Sequence, residues 1–252
     1  EVVLPDETIT VTDSTGNSTS TTNPVYDDVV INLDILPPVI NEYMELVIDT
    51  TITGGTPSDS FSFANNGNGL IDWGDGTIEP FDGTTQSIDA SNTHQYATAG
   101  VYTIRYKGWG RIIYTSNADN KKITELKNAG AEVAWSNISA MFQNCSNMIC
   151  TATDTIITTT NNGGFMFSDT TLLVTPPKIM TYRITTVQNA FIRTSLNSNL
   201  GYMDLRKCGV FNSFALGVTT WSTENYGNTL LGWLRWDSTT HAPAVGWVLQ
   251  SN

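Results

Sequence analysis

The sequence predicts a mainly β protein built in three consecutive parts, and three observations carry that reading. From Asn41 to Ala118, short runs of alternating apolar and polar residues are separated by Gly, Asn, Asp and Pro turn signals, the pattern of half-buried antiparallel strands. From Trp135 to Asn197, three segments repeat weakly but in phase, with anchor phenylalanines Phe142, Phe167 and Phe191 lying 25 and 24 residues apart. Ahead of both lies an acidic stretch, residues 1–40, that has strand-like runs but no core of its own.

In that first part Ile9 and Val11 alternate within "ETITVTD", a Ser/Thr/Gly/Asn tract follows, and a second apolar run begins at Val29 and stops at Pro37-Pro38. The order reads as strand, loose turn, strand. A two-stranded ribbon is marginal alone, so Glu1 to Ile40 is expected to dock on a neighbour, either its own chain or another subunit, as an attachment segment. Its acidity calls for basic residues on the partner.

The second part, residues 41–118, holds the strand-like runs "MELVIDTTI", "SFSFA", "GLIDWGDGT", "TQSIDA", "NTHQYATAGVYTIRYKG" and "RIIYTS", an antiparallel sandwich by pattern. Within it "IDWGDGT" sets Asp72 and Asp75 around Trp73 and Gly74. Gly74 and Gly76 supply the backbone freedom of a tight turn, Trp73 a large face to bury, and the aspartates acceptors for turn amides. The residues favour a structural turn over a calcium site using Asp72, Asp75 or Asp82, and both over catalysis. The second run follows H-x-Y-x-x-x-G-x-Y at His94, Tyr96, Gly100 and Tyr102. Together the two elements resemble the signature of the polycystic-kidney-disease (PKD) domain, an immunoglobulin-like β-sandwich. That resemblance implies a strand ending at the first element, a corner and strand at the second, and framework roles for these residues.

The third part, residues 119–252, contains "WSNISAMFQNCSNM", "NNGGFMFSDTTLL" and "ITTVQNAFIRTSLN". A unit of this length cannot bury its own apolar face, and stacking neighbours does so. The anchors resemble the BspA-type leucine-rich repeat, roughly N-V-T-x-M-x-x-M-F-x-x-C-x-x-L, matched best at Ile138, Met141, Phe142, Cys145 and Met148. The resemblance makes Cys145 a core residue and "STENYGNTLLGW" a cap over the last repeat. Alternation stops and the repeat phase starts between Ala118 and Ala131, so two cores are expected, with "SNADNKK" as the exposed link a protease would cut.

Composition narrows function. The 252 residues, 40% hydrophobic, can build real cores, and the net charge is −12 from 24 acidic and 12 basic residues. Sixteen acids and no Lys or Arg lie between Glu1 and Ile104, whereas five acids and six bases follow from Val133. An acidic face repels phosphate, so no nucleic-acid partner is expected. No apolar run reaches the length of a membrane span, and no insertion is expected. The chain begins at Glu1 with no basic-plus-apolar leader, as a processed protein or part of a longer one would. Cys145, Cys150 and Cys208 form no CxxC pair and only His94 and His241 are histidines, so zinc spacing is absent; one bridge, Cys145 to Cys150 or either to Cys208, stays open beside three buried thiols.

There is no GxSxG, P-loop, HExxH or GxGxxG, and the second half carries only Asp154, Asp169, Asp204, Glu224 and Asp237 as acids. No catalytic residue and no cofactor are expected. A sandwich spacer joined to a stack surfaced with Thr, Ser and Asn is binding or assembly architecture. Trp109, Trp221, Trp233, Trp236 and Trp247 are candidates for stacking on a glycan, against the commoner fate of core or cap packing. The opening "LPDETITVTDSTGNSTSTTNPVYDDVVIN" resembles strand-turn-strand segments of phage structural proteins. This implies a virion surface protein, a capsid decoration, head fibre or tail-associated fibre. Its expected partners are other virion proteins through the N-terminal segment, a host surface protein or glycan, and copies of itself in a homo-oligomer. A bacterial cell-surface adhesin is the alternative, since PKD-like modules and BspA-type repeats are usual there.

Overall fold

The computed structural model describes residues 7–12, 18–23, 43–83, 93–112, 118–131 and 133–237, and the fold is mainly β. The chain divides into two compact units, Glu1–Ile40 and Asn41–Asn252. In the first, β1 (Glu7–Thr12) pairs antiparallel with β2 (Ser18–Asn23), from Glu7 opposite Asn23 to Thr12 opposite Ser18. The second strand therefore forms on the Ser/Thr tract that the sequence presents as a loose turn. Threonine is β-branched and favours extended backbone whether or not it is buried, so polar-apolar alternation does not reveal such a strand. The run starting at Val29 lies outside the described residues.

The second unit opens with β3 (Met44–Asp49), the short β4 (Ser60–Ser62), β5 (Asn65–Asp72), β6 (Ile78–Gly83), the short β7 (Thr93–Gln95) and β8 (Val101–Ile112). The strands expected as an antiparallel sandwich contribute to one large mixed sheet and to a separate β4–β7 pair. The large sheet continues through β9 (Ile123–Ala129), β10 (Ala134–Trp135) and β11 (Ile149–Cys150), in the order β11-β9-β3-β8-β5-β6 with β10 beside β8. The stretch 84–92, with the whole of "TQSIDA", lies outside the described residues. Alternate side chains of the central strands, Met44, Leu46 and Ile48 on β3 and Ile104 and Tyr106 on β8, are buried.

Between β5 and β8 the backbones meet glycine to glycine: Gly67 faces Gly110 and Gly69 faces Gly108. A Cβ on Gly67 would stand 2.0 Å from the Trp109 carbonyl oxygen, so no other residue fits. The Tyr106 hydroxyl fills the space the glycines leave, 3.1 Å from the Asn68 carbonyl oxygen and 2.7 Å from that of Trp109.

The sheet crosses the point at which the sequence places the start of the repeat domain. A 3-10 helix, Ala118–Lys122, leads directly into β9, which pairs antiparallel with β3. The tail of "SNADNKK" is buried rather than exposed, with Asp119 and Lys122 both fully inaccessible. Lys122 Nζ lies 2.7–3.1 Å from Thr56 O, Thr56 Oγ1, Pro57 O and Ser60 O, and 3.7 Å from Asp119 Oδ1. Asp119 in turn accepts from the amides of Gly55, Thr56 and Ser62 and from the Thr56 hydroxyl. The pair latches the loop before β4 to the start of β9, and one hydrophobic cluster runs from Met44 to Trp233.

Beyond β9 the chain winds into stacked coils that include the short parallel pair β12 (Thr155–Ile156) and β13 (Lys178–Ile179). Amides of one coil donate to carbonyls of the next: Phe142 to Met166, Phe167 to Ala190, Phe191 to Phe214. Each coil carries two left-handed residues four apart, namely Ala140 and Asn144, Phe165 and Asp169, Asn189 and Arg193, and Ser213 and Gly217. Left-handed backbone costs about 1–2 kcal/mol per non-glycine residue, a cost offset here by the ladder those residues allow. The helix α1 (Thr223–Asp237) closes the stack, with Trp233 edge-on to Phe211 and Phe214 at 5.3 and 5.8 Å.

Candidate functional site

The chemistry-bearing residues of the sequence converge at the turn between β5 and β6. Gly74 and Gly76 have φ of +81° and +95°, and a Cβ on Gly74 would lie 2.5 Å from the Thr103 carbonyl oxygen. Asp72 Oδ1 accepts from the Gly74 amide and Asp75 Oδ1 from the Thr77 amide, both at 2.9 Å, so each aspartate closes its own turn. Trp73 is buried beneath, its indole N–H donating to Glu79 at 2.7 Å.

The second motif comes to the same place. His94 stacks on Trp73 with ring centroids 4.8 Å apart, Tyr96 meets His94 edge-on at 4.6 Å, and Tyr102 stacks on Tyr96 at 3.8 Å. His94 Nε2 lies 2.8 Å from Asp75 Oδ2, and the Tyr96 hydroxyl donates to the Trp73 carbonyl at 3.1 Å. Gly100 exchanges bonds with Thr50 at the end of β3, and its missing Cβ would make only an ordinary contact with Tyr102. Burial works to raise the Asp75 carboxyl, but the His94 ring and the Thr77 contacts outweigh it and hold the group below its usual range. Burial also pushes the Tyr96 phenol far up, with Asp75 adding to the effect.

A His–carboxylate pair can orient a general base, but here the imidazole is held between Trp73 and Tyr96 and serves the framework. The low-ranked calcium reading also loses its geometry. Asp72 faces Ile78 across the hairpin while Asp82 faces Asn68, four residues further along the strand, or about 13 Å. Asp72 also faces Arg105 at 3.7 Å. Among the described residues no three His, Cys, Asp or Glu side chains are placed to hold a metal ion.

In the coil stack Phe142, Phe167 and Phe191 form a stacked column with centroids 5.7 and 5.5 Å apart, and Cys145 is buried beside them. The sequence reading stops at three anchors, but Phe214 extends the column at 5.1 Å. The signal is present in "VFNSFALGV", 23 residues after Phe191, where the surrounding letters differ enough to hide the phase. Cys145, Cys150 and Cys208 are free thiols, raised by burial, with Cys150 pushed up to about 11. Outside the column, hydroxyls of each coil donate to carbonyls of the one before: Thr170 to Phe142, Thr171 to Ser146, Ser195 to Thr171 and Thr220 to Leu196. Much of the Ser/Thr richness is thus inter-coil bonding. Arg193 and Asp169 pair on the surface of adjacent coils, Nη2 to Oδ2 at 2.8 Å.

The tryptophans separate into two kinds. Trp73, Trp135, Trp221 and Trp233 each donate their indole N–H to a protein acceptor. Trp109 lies on the outer face of the large sheet, half exposed. No helix of the described residues is long and apolar enough to cross a membrane. Comparison with known proteins found no matching family model, curated protein or solved structure.

Proposed function

We propose that this chain is a non-enzymatic binding and assembly protein of a bacteriophage particle surface, a capsid decoration or fibre, with an immunoglobulin-like, PKD-type unit carrying a short BspA-type leucine-rich-repeat solenoid. The observation that supports it most is that the motif residues are spent on structure. Asp72, Asp75, His94 and Tyr96 bond turns and rings, and the repeat hydroxyls bond neighbouring coils. An enzyme needs such groups aimed at an open cleft, whereas a spacer and scaffold need them turned inward. In this reading Glu1 to Ile40 attaches the chain to other virion proteins, and the acid-poor repeat domain meets a host protein or glycan.

Immunogold labelling tests the location. Antibody against the repeat region is expected to decorate purified particles at regular surface positions. Decoration of intact bacterial cells without particles makes the chain a cell-surface adhesin, and labelling of neither defeats both readings. Deletion of Glu1 to Ile40 is expected to leave a folded chain that no longer incorporates into particles; normal incorporation contradicts the attachment role.

A further inference from the structure

Trp109 occupies an unusual position for a tryptophan in this protein. Its neighbours on β8, Gly108 and Gly110, have no side chains, and the glycine-to-glycine contact with β5 brings the two backbones together beneath it. The side chain is 50% exposed, stacks on no ring among the described residues, and, unlike those of Trp73, Trp135, Trp221 and Trp233, its indole N–H donates to no described protein group. A buried-core role is therefore excluded, and the exposed ring face and unused donor together offer a ligand both an apolar surface and a hydrogen bond.

The sheet register supplies the surroundings. Residues of one row share a face, so Trp109 of β8, Asn68 of β5 and Asp82 of β6 stand side by side across three strands. At about 4.8 Å per strand the row spans about 10 Å. With its amide turned so that the nitrogen faces the neighbouring oxygens, Asn68 donates to Asp82 Oδ1 at 3.1 Å and to the Gly67 carbonyl at 3.2 Å, so Asn68 and Asp82 form one polar strip beside the indole. The next row holds Lys107, Leu70 and Pro80, and Leu70 is 40% exposed. Lys107 sits over the Tyr43 ring at 5.6 Å.

We infer that this face is a carbohydrate platform: a sugar ring lays its C–H face on the Trp109 indole while its hydroxyls meet the Asn68–Asp82 strip and accept from the indole N–H of Trp109. The inference rests on the binding role proposed above and names the ligand class for it. A saccharide is favoured because the ligand must offer hydroxyl donors beside an apolar face. The carboxylate of Asp82 opposes an anion, a cost that a neutral sugar does not meet.

The test is a titration of the full chain, 15N-labelled at tryptophan, with cellohexaose, chitohexaose, maltohexaose and xylohexaose in turn, following the indole N–H signals by NMR. The Trp109 signal is assigned by its loss in Trp109→Phe. At least one oligosaccharide is expected to shift the Trp109 signal saturably while the signals of Trp73, Trp135 and Trp233 stay in place. Asn68→Ala is expected to weaken that binding about tenfold without changing the melting temperature, the effect of one lost hydrogen-bonding partner. Trp109→Ala is expected to abolish it. The proposal is overturned if none of the four sugars moves the signal, or if Asn68→Ala binds as well as the parent. It is also overturned if the signal moves with protein concentration alone, which makes the face a contact between copies of the chain. Sugar binding that depends on Trp109 in a chain absent from particles would leave the platform standing and remove only the virion location.

Discussion

The large sheet and the coil stack are held together in opposite ways. In the sheet, contacts join residues 50 to 77 positions apart in sequence: Thr50 to Gly100, Lys122 to Thr56, Thr124 to Val47. In the stack each coil bonds only the coils before and after it, at a separation of 23 to 25 residues, as in Phe142 to Met166, Phe191 to Phe214 and Thr171 to Ser146. The first design depends on a few irreplaceable residues and the second on repetition. Damage should therefore be all-or-none in the sheet and graded along the stack.

The largest effect is expected at the latch. Lys122→Ala leaves Asp119 as a buried charge without its cation and should remove about 3–5 kcal/mol of stability, read from chemical denaturation. Phe167→Ala, in the middle of the phenylalanine column, should remove about 3–5 kcal/mol as well. Phe214→Ala, beside the capping helix, should cost visibly less than Phe167→Ala if repetition governs the stack. Equal losses would show that position along the stack does not set the size of the damage.

Next comes the β5–β6 turn. Gly74→Ala drives a Cβ into the Thr103 backbone and imposes a left-handed conformation on alanine, with an expected loss of about 2–3 kcal/mol by thermal melting. A smaller effect is expected from pH. The folded-state Asp75 carboxyl is held below its ordinary value of 3.8, so its contribution is fully present above that value and is lost as pH falls through the folded value. Stability of the parent should therefore fall more steeply below about pH 4 than that of His94→Phe, which keeps the aromatic stack but lacks the Asp75 contact. The smallest effect has the opposite sign: Ser213→Gly, at φ +53°, should raise stability by about 0.5–1 kcal/mol.

The same division governs how much the sequence disclosed. The WGDG turn and the His94–Tyr102 run were legible because glycines, aspartates and aromatics there have few alternative uses, and both elements converge in the structure. The phase of Phe142, Phe167 and Phe191 was legible because repetition is visible without knowledge of contacts. Asp119 and Lys122 were not, because a charged pair in an Asn/Lys-rich run looks solvated until the loop that enfolds it is known. Trp109 was ambiguous for a related reason: whether a tryptophan is core or surface depends on which face its strand presents, and the flanking glycines carry no apolar signal. β2 was missed because its Ser/Thr strand has no hydrophobic alternation to detect.

The sheet and the stack, although built differently, share one core through the Asp119–Lys122 latch and β9. Differential scanning calorimetry of the full chain tests it most directly, comparing parent and Lys122→Ala. One main transition spanning the sheet and the coils is expected, with calorimetric and van't Hoff enthalpies in agreement, shifting as a whole in the variant. Two separate transitions in the parent, only one of which moves in Lys122→Ala, would contradict it.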